Sequence, residues 1–202
     1  APPVATHAPL HLEASPDLGW ASLEDVEQLI SSHGGGRYLD VGGRGGEHRS
    51  LAAGFDYHLM DIEPTMAGDG VVVGDICACP QIPDDSYDVV FSHNVFEHLL
   101  EPWAAAEEIV RITKPGGLTV HLAPFAWRYH PVPVDAFRYT HTGMAHLFER
   151  TGHAETILAG YDLSHRREDR RGKHPDGLDF PPIDDLGGWR ENWELVYAAR
   201  IT

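Results

Sequence analysis

The sequence predicts an α/β fold with a parallel sheet, and two observations support this prediction. Short apolar runs alternate along the chain with segments of helical pattern, which is the order produced when crossover helices connect parallel strands. One run, YDVVFSH at residues 87–93, has the apolar character of a strand that is covered on both faces. The length of 202 residues suits one domain with its own core. We therefore expect a single domain over residues 1–202.

The elements can be assigned in chain order. Residues 1–18 are rich in proline, alanine and histidine without a period, so we expect an extended N-terminal arm. A helix is expected from Ser22 to Ile30, because Ser22 can cap its first turn and a run of three glycines ends it. The other expected elements are strands at 37–41, 57–60, 71–75, 87–93 and 118–122, a short helix at 47–53, and a helix at 103–113 that Lys114-Pro115 breaks. Two last strands, 155–162 and 194–201, flank a polar loop or lid at 164–190.

Charge and composition restrict the partners that we expect. With 15 basic and 31 acidic residues, the formal net charge of −16 repels nucleic-acid phosphates and anionic membranes, so both are disfavoured partners. Only Cys77 and Cys79 occur, which gives no disulfide framework. The sequence shows no signal peptide and no apolar stretch long enough to span a bilayer, so we expect a cytoplasmic protein. The basic run at 164–175 is either a solvated loop or a lid over an anionic or sugar-like acceptor.

The most informative motif is a glycine-rich turn, YLDVGGRGG at residues 38–46, directly after an expected strand. Glycine has no Cβ, so such a turn lets backbone N–H groups approach a nucleotide closely. Asp61 follows Asp40 by 21 positions and ends the next strand, where a doubly wound fold places an acid that accepts hydrogen bonds from ribose. Asp75 ends a third strand and can bind an adenine amino group, with Ile76 against the ring. These acids predict a cofactor that contains a nucleoside.

The ordered blocks LDVGGRGG, MDIEP, VGDICACPQIPDDSYDVVFSHNVFEHLLEP and KPGGLTVHLAP resemble class I S-adenosylmethionine-dependent methyltransferases of the type 11-like group. The resemblance covers residues 38–124. It implies a Rossmann-like, seven-stranded, mostly parallel sheet with helices on both faces and a C-terminal antiparallel hairpin, and S-adenosyl-L-methionine as cofactor. The implied cofactor contacts are Asp40, Gly42, Gly43 and Gly46 at the methionine end, Asp61 and Ile62 at the ribose, and Asp75, Ile76 and His93 at the adenine. Arg44 departs from the family's G-x-G-x-G turn.

A second block, HNVFEH at 93–98, follows the fourth strand, at the edge where an acceptor approaches an open α/β sheet. Glu97-His98, followed by His130, resembles the metal site of methyltransferases that act on small-RNA ends and on quinone precursors. Asn94 replaces the first glutamate of that site. A divalent metal on Glu97, His98 and His130 is therefore one expectation, and this ligand set leaves Mg, Mn, Fe and Zn open.

Without a metal, the same histidines can act as bases. Histidine can accept the proton of a hydroxyl group as the methyl group moves, so His98 and His130 are candidate general bases. Asp135 can orient His130, and Arg138 can either bind an anionic acceptor or simply pair with Asp135 to fix the loop. The sulfonium is already activated, so alignment and removal of one proton supply most of the rate.

The sequence therefore predicts a methyltransferase that acts on a hydroxyl of a small-molecule acceptor, a sugar or secondary metabolite, with or without a metal. Three alternatives stay open: an RNA-end 2′-O-methyltransferase that uses the basic run, a non-catalytic nucleoside-binding or regulatory module, and a nicotinamide-dependent oxidoreductase. The Cys77-Ala78-Cys79 segment is a weak candidate for a soft metal. The tryptophans can line an acceptor pocket or fill the core, and they are Trp103, Trp127, Trp189 and Trp193. The oligomeric state stays open.

Overall fold

The structure is a computed structural model and describes residues 19–43, 46, 48–66, 68–127, 129–131, 133–162 and 193–202. The strands are β1 (Gly19–Trp20), β2 (Gly36–Val41), β3 (Phe55–Asp61), β4 (Val71–Val73), β5 (Tyr87–His93), β6 (Thr113–Ala126), β7 (Ala154–Asp162) and β8 (Trp193–Ile201). The helices are α1 (Leu23–His33), α2 (Pro102–Ile112) and α3 (His141–Glu149).

The described strands form one sheet in the order β1-β7-β8-β6-β5-β2-β3-β4. Every strand pair is parallel except those of β8, which runs antiparallel to both β6 and β7. The predicted seven-stranded sheet with its C-terminal antiparallel hairpin is therefore confirmed in β2 to β8. β1 adds an eighth strand of two residues beside β7, and such a short ladder carries no periodic pattern that a sequence could reveal.

Helices cover both faces of the sheet, as predicted. Val26 and Ile30 of α1 belong to a buried cluster with Tyr38 and Phe91 of the sheet. On the opposite face, residues of α2 and α3 such as Ile109 and Phe148 share a second cluster with the other inward-facing strand residues. The sheet therefore has a hydrophobic core on each of its faces. The loops that can form a site follow the carboxyl ends of its parallel strands.

Several boundaries differ from the predicted ones. α1 extends to His33, three residues beyond the expected end, because the chain first takes a left-handed turn at Gly34 (φ 89°). β6 begins at Thr113, directly after α2, and its pairing with β5 shifts register so that the Lys114-Pro115 segment lies inside the strand. Such an irregular start is not visible in a hydropathy pattern.

Other elements differ in type. The short helix predicted at 47–53 is a 3-10 helix at residues 49–52. β4 ends at Val73, and Asp75 lies just beyond it in an isolated bridge with Ala78. α3 was not predicted from the sequence; Thr140 caps it by accepting a hydrogen bond from the Gly143 N–H, and Met144 and Phe148 anchor it.

The predicted arm, the basic run, the loop or lid, Arg44 and Trp189 lie outside the described residues. In the part of the chain that the structure describes, no helix has the length and apolar character needed to cross a membrane.

Candidate functional site

The glycine turn leaves β2 at the carboxyl edge of the sheet and packs tightly against its neighbours. Gly42 has a positive φ of 72°, and a Cβ there would lie 2.5 Å from a methyl group of Val95. A Cβ on Gly43 would lie 2.2 Å from the carboxylate of Asp40. Neither position has room for a side chain, so the backbone of the turn is held directly against the sheet edge.

Asp40 is the buried acid beneath this turn. It is 1% exposed, and its Oδ2 accepts a hydrogen bond of 2.7 Å from the Tyr57 hydroxyl. Burial raises the pKa of Asp40 to about 6, although this hydrogen bond acts in the opposite direction. Gly46 closes the turn with a 2.8 Å hydrogen bond from its N–H to the Gly43 carbonyl.

A cleft of about 340 Å³ opens beside the turn, and we call it the cleft below. It brings together six of the predicted site residues: Gly42, Asp61, Ile62, Asp75, Ile76 and His98. Asp61 accepts a hydrogen bond from the Glu63 N–H through Oδ1, and Asp75 accepts one from the Cys77 N–H. Carboxylates fixed in this way can still accept hydrogen bonds from a ligand through their remaining lone pairs.

Asp40, Gly43, Gly46 and His93 are not among the described residues that line the cleft. His93 ends β5, and its ring lies between two side chains that sequence reasoning did not single out. Its Nε2 is 2.6 Å from Glu194 Oε1 and its Nδ1 is 2.5 Å from His48 Nε2. Glu194 lies at the start of β8, and nothing in the local sequence indicates that it contacts His93. The contact arises because β8 and β5 both lie beside β6 in the sheet.

A second set of predicted residues, which we call the Glu97 group, consists of Glu97, His98 and His130. Glu97 lies in a 3-10 turn after β5 and is fully buried. Neither of its carboxylate oxygens accepts a hydrogen bond from the described residues. Its Oε1 lies 3.5 Å from His98 Nε2 and 3.7 Å from His130 Nε2. Burial raises the pKa of Glu97 because the charged form is poorly solvated.

Neighbouring groups hold both imidazoles in place. His98 Nδ1 contacts the Val134 carbonyl, which can only accept, so this nitrogen carries the hydrogen and Nε2 faces Glu97. His130 donates its backbone N–H to Asp135 Oδ2 over 2.7 Å, and its ring Nδ1 lies 3.5 Å from the same oxygen. Both ε nitrogens therefore point at one buried carboxylate.

Asp135 forms a two-pronged ion pair with Arg138. Both terminal nitrogens of the guanidinium contact the Asp135 carboxylate, and the Nη2–Oδ2 distance is 2.7 Å. The hydrogen bond from Arg138 lowers the pKa of Asp135 to about 2, and the bond from the His130 backbone contributes in the same direction. Arg138 therefore pairs with Asp135, which is one of the two roles that the sequence left open for Arg138, and Asp135 contacts His130 at the same time.

Backbone contacts bring these distant segments together. The Ala136 N–H donates to the Glu97 carbonyl over 2.7 Å, and the Tyr139 hydroxyl donates to the Phe96 carbonyl over 3.0 Å. The loop after β6 is therefore fixed onto the turn after β5. As expected for neighbouring parallel strands, both segments reach the same crevice.

The Glu97 group fits a metal ion in the type and proximity of its donors. One atom from each of the three residues lies within 4.8 Å of the other two. A buried carboxylate with no hydrogen bond from the described residues and two oriented imidazoles form a ligand set that divalent first-row metals accept.

Comparison with known proteins decides the family. Residues 39–121 match the methyltransferase domain model of the type 11 family. A methyltransferase of Mycolicibacterium vanbaalenii is 37% identical over 110 residues, which are 46% of this chain and 43% of that protein. This chain carries a class I S-adenosylmethionine-dependent methyltransferase domain.

Other comparisons agree with this assignment. A methyltransferase of Mycolicibacterium gilvum is 30% identical over 148 residues, or 68% of this chain and 51% of that protein. The structure of an S-adenosylmethionine-dependent methyltransferase from Mesorhizobium loti superposes with a TM-score of 0.58 at 15% identity, covering 89% of this chain and 98% of that one. At this identity the structural match supports the methyltransferase fold alone. The chain spans about half or less of the length of these curated relatives.

Proposed function

We propose that this methyltransferase domain binds S-adenosylmethionine in the cleft and transfers its methyl group to a hydroxyl of a small-molecule acceptor. The observation that carries the proposal is the place of the Glu97 group. His98 belongs to this group and also lines the cleft beside Asp61 and Asp75. Groups that can take a proton therefore adjoin the space for the cofactor.

The cofactor assignment follows the positions of the acids. We assign Asp61 and Ile62 to the ribose, and Asp75 and Ile76 to the adenine, because all four line one cleft. We assign the methionine end of the cofactor to Gly42, Gly43 and Gly46, with Asp40 beneath them. Glycine has no side chain, so the cofactor can approach the backbone N–H groups of the turn closely.

His93 receives a different assignment from the other cofactor residues. It contacts Glu194 and His48, the latter just after the glycine turn, and its interaction with Asp40 opposes the rise in the pKa of that carboxyl. We therefore assign His93 to the support of the turn instead of to the adenine.

In the reaction, the chain orients the acceptor and removes one proton. The acceptor oxygen attacks the methyl carbon while the electron pair of the carbon–sulfur bond returns to sulfur, and when the Glu97 group holds no metal, the hydroxyl proton passes to His98 or His130. Asp135 positions His130 for this step. A divalent metal held by Glu97, His98 and His130, when bound, supplies a Lewis acid that makes the hydroxyl more acidic. The net charge of −16 favours a small acceptor over a nucleic acid.

Calorimetry with S-adenosylmethionine tests the cofactor assignment. Asp61→Asn removes a charged acceptor from the cleft and should weaken binding at least 10-fold, about 1.4 kcal/mol. The matched control is Asp56→Asn, at the other end of β3 with a side chain 68% exposed, which should leave the affinity unchanged. Absence of binding by the unmodified protein at millimolar cofactor would disprove the proposal.

Metal titration tests the Glu97 group separately. Dialysis against Zn²⁺ or Mn²⁺, followed by elemental analysis, should give one ion per chain if the group is a metal site. Glu97→Gln should abolish that ion, whereas Glu107→Gln on exposed α2 surface should keep it. If the unmodified protein retains no metal and still methylates an acceptor, the histidines act as bases alone.

A further inference from the structure

A second hollow lies next to the Glu97 group, and we call it the aromatic hollow. It has a volume of about 270 Å³ and is lined by Trp127, Tyr129, Asp135, Ala136, Phe137 and Arg138. Trp127 is 39% exposed and Tyr129 is 72% exposed, so large aromatic surfaces face the opening. Exposed rings grouped around a concavity beside a candidate active site are typical of a ligand pocket.

The aromatic hollow and the cleft meet at the Glu97 group. Asp135 lines the hollow, and its carboxylate lies 3.5 Å from His130 Nδ1. On the other side of this imidazole, Nε2 lies 3.7 Å from Glu97, which in turn contacts His98 in the wall of the cleft. A molecule in the hollow and the cofactor in the cleft would therefore both adjoin the Glu97 group, where the acceptor hydroxyl must meet the methyl carbon.

The charged side chains of the hollow neutralise each other. Arg138 binds Asp135 through two nitrogens and also donates to the Phe137 carbonyl over 2.8 Å. The pair therefore adds no net charge to the hollow and does not favour an anionic acceptor, while the guanidinium plane can stack on a ring.

We propose that the acceptor is an uncharged aromatic molecule whose phenolic hydroxyl reaches the Glu97 group while its ring lies in the aromatic hollow. This inference rests on the proposed function and names its substrate class. A cavity of about 150 Å³ holds one benzene ring, so a hollow of about 270 Å³ suits one or two fused rings. A sugar fits less well, because hydroxyl groups that face the three aromatic side chains would lose hydrogen bonds to water without gaining partners there.

Phenols also suit the chemistry of the site. A phenol ionises near pH 10, about six units below a water-like hydroxyl, so a side-chain base can remove its proton more easily. The phenol O–H bond breaks as its proton passes to His130, and the oxygen forms a bond to the methyl carbon. The carbon–sulfur bond breaks with its electrons returning to sulfur, which leaves an aryl methyl ether and S-adenosylhomocysteine.

A three-acceptor assay tests the substrate class. The probes are 2-naphthol, its carboxylated analogue 6-hydroxy-2-naphthoate, and methyl glucoside, each with S-adenosylmethionine and product detection by mass spectrometry. We expect kcat/KM for 2-naphthol to exceed that for the naphthoate at least 10-fold, with no product from the glucoside. Preference for the glucoside or the naphthoate, or no methylation of 2-naphthol, would overturn the inference.

Variants of the aromatic wall test the site. Trp127→Ala should raise KM for 2-naphthol at least 10-fold. Trp127→Phe should keep KM close to that of the unmodified protein, since an aromatic ring is the required feature. Trp103→Ala is the control, because Trp103 is also exposed, 47%, but lies on α2 and lines neither the hollow nor the cleft. An equal effect of Trp103→Ala would overturn the assignment.

Cofactor binding separates the two proposals. All three tryptophan variants should bind S-adenosylmethionine with unchanged affinity, which also shows that they fold. If the unmodified protein does not bind the cofactor, the proposed function fails. If it binds the cofactor and methylates only non-aromatic acceptors, the substrate class alone is wrong.

Discussion

At the scale of single residues, Asp40 connects the glycine turn to the sheet. Its buried carboxylate contacts Tyr57 on one side and leaves no space for a Cβ on Gly43 on the other. The sequence predicted that Asp40 and Gly43 contact a cofactor. The hydrogen bond between Asp40 and Tyr57 depends on β2 and β3 lying side by side.

Gly43→Ala tests this contact. The added methyl group would lie 2.2 Å from Asp40 Oδ2, so the turn or the carboxylate must move. We expect the free energy of unfolding to fall by about 1–3 kcal/mol and the affinity for S-adenosylmethionine to fall at least 10-fold. The measurements are urea unfolding and calorimetry.

The control for this variant is Gly54→Ala, where φ is 87° and no atom lies within 4 Å of the added carbon. This variant should lower the free energy of unfolding by about 1 kcal/mol, because alanine is strained at this positive φ, and it should leave the affinity for the cofactor unchanged. Equal losses of affinity in both variants would contradict the proposed role of the turn.

The raised pKa of Asp40 predicts a pH dependence of stability. Its folded value of about 6 exceeds the reference value of 3.8, so its contribution to stability is complete below pH 3.8 and is lost as the pH rises through 6. Asn does not ionise, so Asp40→Asn should gain stability relative to the unmodified protein between pH 4 and 7, by at most about 3 kcal/mol. Urea unfolding at several pH values measures this difference, and a constant difference would show that Asp40 does not titrate in this range.

At the scale of elements, local signals predicted where α1 begins, but they did not predict the number of helices. α1 was expected because Ser22 and the glycines mark its ends, and the structure shows a complete capping box between Ser22 and Asp25. α3 was missed because its nine residues include a glycine and two histidines, and it depends on burial of Met144 and Phe148 in addition to its Thr140 cap. Tertiary packing thus decided that element.

Ser22→Ala should destabilise α1. The Ser22 hydroxyl accepts a hydrogen bond from the Asp25 N–H, which would lose its partner, so we expect a loss of about 1 kcal/mol in the free energy of unfolding. Ser31→Ala, on the exposed surface of the same helix, should change it by less than about 0.5 kcal/mol. Thermal and urea unfolding measure both, and equal effects would mean that the cap does not contribute.

At the scale of the whole molecule, charge and sheet order set what can approach the site. The net charge of −16 opposes binding of polyanions, although the basic run at 164–175 lies outside the described residues. We expect no mobility shift of a short RNA at about 50 mM salt and micromolar protein. Salt-sensitive binding would instead favour the RNA-end alternative, since displaced counterions give such binding its salt dependence.

The sequence by itself determined the α/β class, seven of the eight described strands, and the positions of Gly42, Asp61 and Asp75, which the structure brings to one cleft. These features depend on periodicity, turn residues and strand ends, and each of these is a local pattern within a short segment of the sequence. Only the tertiary structure decided that Glu97 is buried beneath two imidazoles, that Asp135 contacts both His130 and Arg138, and that His93 lies between His48 and Glu194. The contacts of Glu97 with His130 and of His93 with His48 and Glu194 join residues on different strands and loops, so they arise from sheet order and packing, which no local pattern specifies.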